Sequence, residues 1–193
     1  MRTLCAEADR SSPAAKANFK TKRLNLWIDE ANGLFDPQCW ARCGNEDLQI
    51  EDFAGEDCYI GVDLASREDF ACVAYEFSRV VDGTPHYYAF VDHYLPASRV
   101  QAAENLSYRA WESEKWITET EGETTDFYEI IETVLDSLKR YQVRLIAVDP
   151  WQSVQFMQGL ERAGAKDRVL EFRQRLSTLS EPTKDLMALH REG

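Results

Sequence analysis

Two aspartates stand directly after short apolar runs, and residues of that type in that position can do metal chemistry. One run reads Cys58-Tyr59-Ile60-Gly61-Val62-Asp63-Leu64-Ala65-Ser66, the other Val143-Arg144-Leu145-Ile146-Ala147-Val148-Asp149-Pro150-Trp151. Runs this brief, apolar and β-branched form buried central strands. A carboxylate at the tip of such a strand is costly unless something pairs with it. If the two strands lie side by side, Asp63 and Asp149 meet at one edge of the sheet. Two hard oxygen donors held that way suit Mg²⁺ or Mn²⁺, which keep several waters and take phosphate oxygens as further ligands. The chemistry implied is metal-assisted phosphodiester cleavage. A plainer role stays open at each position, because an aspartate after a strand also caps a turn or the next helix.

The elements that must position this pair follow from periodicity. Tyr59–Leu64, Phe70–Phe77 and His86–Tyr94 read as three successive strands, with Asp82-Gly83 as the turn between the last two. Ser98 is expected to cap a helix running to about Trp116, with Val100, Ala103, Ala110 and Trp111 on one face. Asp126 and Glu129 form a capping box before Phe127, Ile130, Ile131, Val134, Leu135, Leu138 and Tyr141, which recur at helical spacing. Then come a strand over 143–148, a helix from about Gln152 to Ala163 stopped by Gly164, a strand Val169–Phe172, and a helix starting near Glu181-Pro182. A meander followed by strand–helix alternation predicts an α/β fold, a mixed sheet flanked by helices. The first strand and the 143–148 strand are its natural central neighbours, as an RNase H-like fold requires.

Composition narrows the classes. A chain of 193 residues buries one good core, and 44% apolar content with five tryptophans excludes a disordered polymer. No apolar run reaches membrane-spanning length, and the first residues lack a signal-peptide core. The five cysteines (5, 39, 43, 58, 72) lack zinc-ligand pairing and read as reduced thiols in a cytoplasm, most of them buried. With 34 acidic and 22 basic residues the net charge is −12, so tight independent binding to nucleic acid is not expected. Residues 112–136 are dense in Glu and Asp and read as a solvated face, whereas residues 1–27 are basic. Residues 1–57 look irregular, but Phe19, Leu24, Trp27 and Trp40 are apolar enough to require packing, and Asp36-Pro37 marks a short helix.

The string Phe19…Leu24-Asn25-Leu26-Trp27, Trp40, Gly61-Val62-Asp63-Leu64-Ala65-Ser66…Asp69 and Ile146-Ala147-Val148-Asp149-Pro150-Trp151 resembles the large terminase subunit of tailed bacteriophages. The later Glu171-Phe172-Arg173-Gln174…Leu179-Ser180-Glu181-Pro182-Thr183-Lys184 does so too. The resemblance spans nearly the whole chain and implies an RNase H-like nuclease domain that cuts concatemeric double-stranded viral DNA during packaging in the bacterial host cytoplasm. It implies that Asp63 and Asp149 are metal ligands, serving two ions roughly 3.5–4 Å apart. It also implies a small terminase subunit and a portal protein as partners. The family's ATPase motor lies upstream, and no G-x-x-x-x-G-K-[ST] string occurs here. Residues 1–57 are therefore expected to be the segment joining that motor, and 58–193 the nuclease domain. The family's third acidic ligand, on a later helix, is expected beyond residue 193; Asp185 falls too early in the pattern.

The remaining residues read more plainly. Asp69 suits a turn, and Trp27 and Trp151 suit packing. Arg168, Arg173, Arg175 and Lys184 read as surface charges, with phosphate contact as the alternative. His86, His93 and His190 form no nucleophile triad. Two other functions compete: a non-catalytic docking or DNA-positioning module, and an actin-like phosphotransferase suggested by Gly61-Val62-Asp63-Leu64-Ala65-Ser66. The second lacks a second glycine-rich phosphate loop.

Overall fold

The computed structural model describes residues 35, 37–102, 106–151 and 153–192. Helix α1 (Pro37–Cys43) opens at its proline, and a 3-10 turn (Ile50–Phe53) leads into strands β1 (Asp57–Asp63), β2 (Ala71–Val81) and β3 (Thr84–Pro96). One helical turn, α2 (Ala97–Val100), helix α3 (Leu106–Ser113) and the short strand β4 (Thr118–Thr120) precede helix α4 (Phe127–Arg140). Strand β5 (Gln142–Val148), helix α5 (Val154–Arg162), strand β6 (Val169–Glu171) and helix α6 (Leu176–Glu192) follow. Two compact units result: Leu48–Thr178, which holds the whole sheet, and Met1–Asp47 with Leu179–Gly193.

The sheet order is β4-β3-β2-β1-β5-β6. β1, β2 and β3 form the antiparallel meander, while β5 runs parallel to β1 and β6 parallel to β5. Asp82 and Gly83 join β2 to β3 at φ 51° and 82°, the paired left-handed values that a two-residue hairpin loop needs to match strand twist. Alternation then selects the core face. Ile60 and Val62 of β1, Val73, Tyr75 and Phe77 of β2, and Val143, Ile146 and Val148 of β5 are buried. Ile130, Ile131 and Val134 of α4 and Phe156 and Leu160 of α5 cover them. Gly159 lets α5 approach α4 closely, since a Cβ there would lie 2.7 Å from Ile131 Cδ1. The Tyr94 hydroxyl donates to Thr133 Oγ1 at 3.0 Å and ties β3 to α4.

Phe53 anchors one end of this core. It is fully buried, stacks on Phe77 at 4.6 Å between ring centroids, and meets Tyr88 and Phe90 at 5.0 and 5.5 Å. The Arg79 guanidinium lies 4.0 Å from the Phe53 ring centroid and is held there by Glu56 at 2.7 Å and the Asp52 carbonyl at 2.8 Å.

The β1–β5 pairing contains a one-residue shift. Cys58 faces Val143, but Tyr59 faces Leu145, so Arg144 is the extra residue on β5. Its guanidinium meets Asp57 at 2.7 Å on the exposed rim. The shift brings Ile146 opposite Ile60 and Val148 opposite Val62.

Several expectations are corrected. Residues 98–116 do not form one helix: α2 ends at Val100, α3 spans Leu106–Ser113, and Ala110 and Trp111 are exposed. Ala103 lies outside the described residues. Val100 instead joins Leu95 and Ile117 in a small second cluster, and packing of single residues overrides the stripe. Lys115 at φ 64°, with the Trp116 amide donating to the Trp111 carbonyl at 2.8 Å, closes α3. Ser98 is no cap, since α2 starts after Pro96. Asp126 does cap α4, its Oδ1 accepting the Tyr128 amide at 2.8 Å. Its own amide donates to Thr120 Oγ1 at 3.1 Å, so β4 supplies the bond expected from Glu129.

The last helix begins at Leu176, with Pro182 inside it. Thr178 explains the earlier start: its hydroxyl accepts the Arg175 amide at 3.0 Å and donates back to the Arg173 carbonyl at 2.6 Å. Of Cys39, Cys43, Cys58 and Cys72, only Cys58 is buried. Cys39 and Cys43 ride on the seven-residue α1, which leaves most of its surface in water. Burial pushes the Cys58 thiol up to about 12, which makes it an inert packing group. Among the described residues no helix is long and apolar enough to cross a membrane.

Candidate active site

β1 and β5 are parallel neighbours, and their last paired residues are Val62 and Val148. β1 ends on Asp63, and Asp149 directly follows β5. The two carboxylates therefore leave adjacent strands at one edge of the sheet. Alternation sets Asp63 on the face of β1 opposite Ile60 and Val62, and the residue is exposed. Cys72 of β2 pairs directly with it. Burial and the nearby Asp63 charge both push the Cys72 thiol upward, so it stays protonated beside the carboxylate. No hydrogen bond from the described residues occupies the Asp63 side chain.

Asp149 is held much more firmly. Its Oδ1 accepts the Trp151 amide at 2.8 Å, a turn bond of the kind aspartate favours two residues on. Its Oδ2 accepts the Gln174 amide at 2.9 Å, and the Phe172 amide donates to the Val148 carbonyl at 2.8 Å beside it. The Gln174 amide, then the Trp151 amide and the charge of Arg173, hold the Asp149 carboxyl below the usual aspartate range. Each oxygen keeps a second lone pair, so a carboxylate fixed in this way still offers two acceptor sites.

A hard divalent ion fits these donors. Ionised oxygens at an exposed edge suit Mg²⁺ or Mn²⁺, and water completes the coordination such ions prefer. Among the described residues no group of three or more histidine, cysteine, aspartate or glutamate side chains gathers. Asp63 and Asp149 are the two carboxylates that end β1 and follow β5 at this edge.

The depressed Asp149 acidity has a testable sign. A folded value below the unfolded one adds stability that is complete above the ordinary value of 3.8 and is lost as pH falls through the folded value. The melting-temperature gap between the native chain and Asp149→Asn is expected to shrink as pH drops below about 4. A gap unchanged from neutral to strongly acid pH contradicts this electrostatic account. Paired melts in matched buffers measure it.

The other singled-out residues separate. Asp69 is exposed in the loop after β1. Arg173 and Arg175 are exposed beside Gln174, and Arg168 closes the 3-10 turn before β6. Lys184 pairs with Glu181 at 2.6 Å on α6. His86 and His93 lie on β3, whereas His190 meets Phe35 and Trp40 in the other unit. Phe19, Leu24 and Trp27 lie outside the described residues. Trp40 contacts those two rings but remains 58% exposed. Trp151 does not pack as expected; it is 76% exposed, because the turn that binds Asp149 presents it outward. The Gln174 and Trp151 amides carry no residue-type signature, so their hold on Asp149 had no signal in the sequence.

Comparison with known proteins gives a family and a fold. The sequence matches the family model described as "Terminase large subunit, endonuclease domain" over residues 4–193. Protein YmfN of Escherichia coli K12 is 29% identical over 91% of this chain and 40% of its own length. The terminase large subunit of Enterobacteria phage HK97 is 19% identical over 97% of this chain and 36% of its own. The crystal structure of the HK97 bacteriophage large terminase superimposes with a TM-score of 0.66 at 19% identity, over 97% of this chain and 38% of that one. The fold is the RNase H-like mixed sheet of that structure. The chain spans about two fifths of the length of these relatives.

Proposed function

Because this chain belongs to the terminase large subunit endonuclease domain family, we propose that it hydrolyses phosphodiester bonds of double-stranded viral DNA at Asp63 and Asp149. One observation carries the reading: two carboxylates leave adjacent parallel strands at the same sheet edge. Asp63 and Asp149 would hold Mg²⁺ or Mn²⁺, and a pair of such ions, when bound, would supply an activated water and charge to stabilise the leaving oxygen. The chain's part is to hold and orient. The two amides on Asp149 fix its plane and keep it ionised, leaving its outer lone pairs for an ion. Asp63 offers a carboxylate from the neighbouring strand that no described residue hydrogen-bonds. Arg173 stands beside Asp149 as a cation for the substrate phosphate.

In this reading residues 58–193 are the nuclease domain and residues 1–57 the segment joining it to a packaging ATPase. A small terminase subunit and a portal protein are its assembly partners, and the host cytoplasm its compartment. A non-catalytic DNA-positioning module is the second reading. It is favoured by the absence, among the described residues, of a third acid beside the pair.

Metal binding tests the site. Saturating Mn²⁺ or Mg²⁺ stabilises a protein that binds it only when folded, by about 2.7 kcal/mol at a hundredfold excess over Kd. The native chain is expected to melt several degrees higher with the ion, and the Asp63→Asn, Asp149→Asn double variant to show no rise. An equal rise in the double variant would place the ion elsewhere, on the acidic 112–136 face, and remove the basis for the proposal.

A further inference from the structure

We infer that Trp151 is a substrate-binding residue on which a nucleotide of the bound DNA strand stacks beside the Asp63–Asp149 edge; this rests on the nuclease reading above. Tryptophan carries one of the largest apolar surfaces of any side chain and is highly buried on average. Trp151 is 76% exposed, two residues past Asp149. Its position is not loose. The Trp151 amide is bound by Asp149 Oδ1 at 2.8 Å, and Pro150 before it has a restricted φ. The indole is therefore presented outward from a fixed backbone at the place where a phosphodiester must come.

Its surroundings favour a nucleic acid over a protein partner. Val154, on the first turn of α5, is 67% exposed three residues on, which extends the apolar surface only slightly. Cations serve the same aspartate: the charge of Arg173 acts on Asp149, and the exposed Arg175 follows Gln174, whose amide binds Asp149. An exposed aromatic two residues past an aspartate that also feels a guanidinium charge suits a sugar–phosphate strand whose base is unstacked from the duplex at the point of cleavage. Stacking suits any base and needs no sequence readout. Strand cleavage at the edge needs the strand held in register with Asp63 and Asp149, and one stacked base supplies that register.

The test uses a fluorescein-labelled single-stranded oligonucleotide and a blunt duplex of the same sequence. Both are titrated at low salt with Ca²⁺ present, beside plasmid-nicking kinetics in Mn²⁺. Trp151→Ala is expected to weaken single-strand binding roughly 5- to 150-fold, the range that base–aromatic stacking spans. Trp151→Phe is expected to recover most of it. In nicking, the loss falls mainly on KM. Because the side chain is exposed, neither variant should shift the melting temperature or its response to Mn²⁺. Binding by Trp151→Ala within twofold of native overturns the inference while leaving the metal site standing. A native chain that binds neither probe overturns it as well, and the melting response to Mn²⁺ then judges the nuclease reading separately.

Discussion

Asparagine at either Asp63 or Asp149 is expected to lower Mn²⁺-dependent plasmid nicking by at least about 100-fold. Metal charge at a transferring phosphoryl centre lowers the barrier by several kcal/mol, and each 1.36 kcal/mol is tenfold in rate. Losing one anchoring carboxylate forfeits most of that term. The two single variants and the double variant should fall to a similar floor, because ligands of one site act as a unit. Absolute rates are expected to be low, since a net charge of −12 opposes approach of the duplex. The ratio between variants is unaffected by that general repulsion. Nicking that persists within a few-fold in Asp149→Asn would show that this edge is not where the bond breaks.

Phe53→Ala is expected to cost about 3–5 kcal/mol of folding stability, the range for truncating a buried phenylalanine. The ring is fully buried, contacts Phe77, Tyr88 and Phe90, and carries the Arg79 guanidinium on one face. A loss of that size consumes much of the roughly 5–15 kcal/mol that holds an ordinary domain together. Guanidinium unfolding should show a lower midpoint at unchanged slope. Val80→Ala is the control, because Val80 is 74% exposed and should change little. A Phe53→Ala loss below about 1 kcal/mol would mean the aromatic stack is not a principal support of the core.

Where pattern and physics coincided, the fold was legible. β1 and β5 announce themselves as β-branched runs, the Asp82-Gly83 hairpin by its turn chemistry, and α4 by six apolar residues at helical spacing under an aspartate cap. Other features left no such trace. β4 is three residues, Thr-Glu-Thr, in an acidic stretch, and it exists because β3 offers it a parallel edge. The break between α2 and α3 follows from Val100 packing with Leu95 and Ile117. Pro182 looked like a helix start because proline favours that place, but the helix already begins at Leu176, where the Thr178 hydroxyl accepts the Arg175 amide. Both aspartates were visible as candidates. What holds Asp149 was not, since two backbone amides do it, one of them 25 residues away. Trp151 misled for a related reason: its size argues for burial, and only the turn geometry shows it turned outward.

The extra residue at Arg144 gives the site an arithmetic dependence on chain length. Val62 and Val148 come level only because β5 spends one more residue than β1 near the opposite end of their pairing. Each residue of a strand advances about 3.3 Å and reverses the side to which its neighbour points. The spacing of the two acids is therefore kept by a count rather than by the identity of position 144. A substitution at 144 alters the rim contact with Asp57 but leaves that count intact. A gain or loss of one residue between Gln142 and Val148 does not, because it would carry Asp149 out of step with Asp63 while every side chain around them stayed the same.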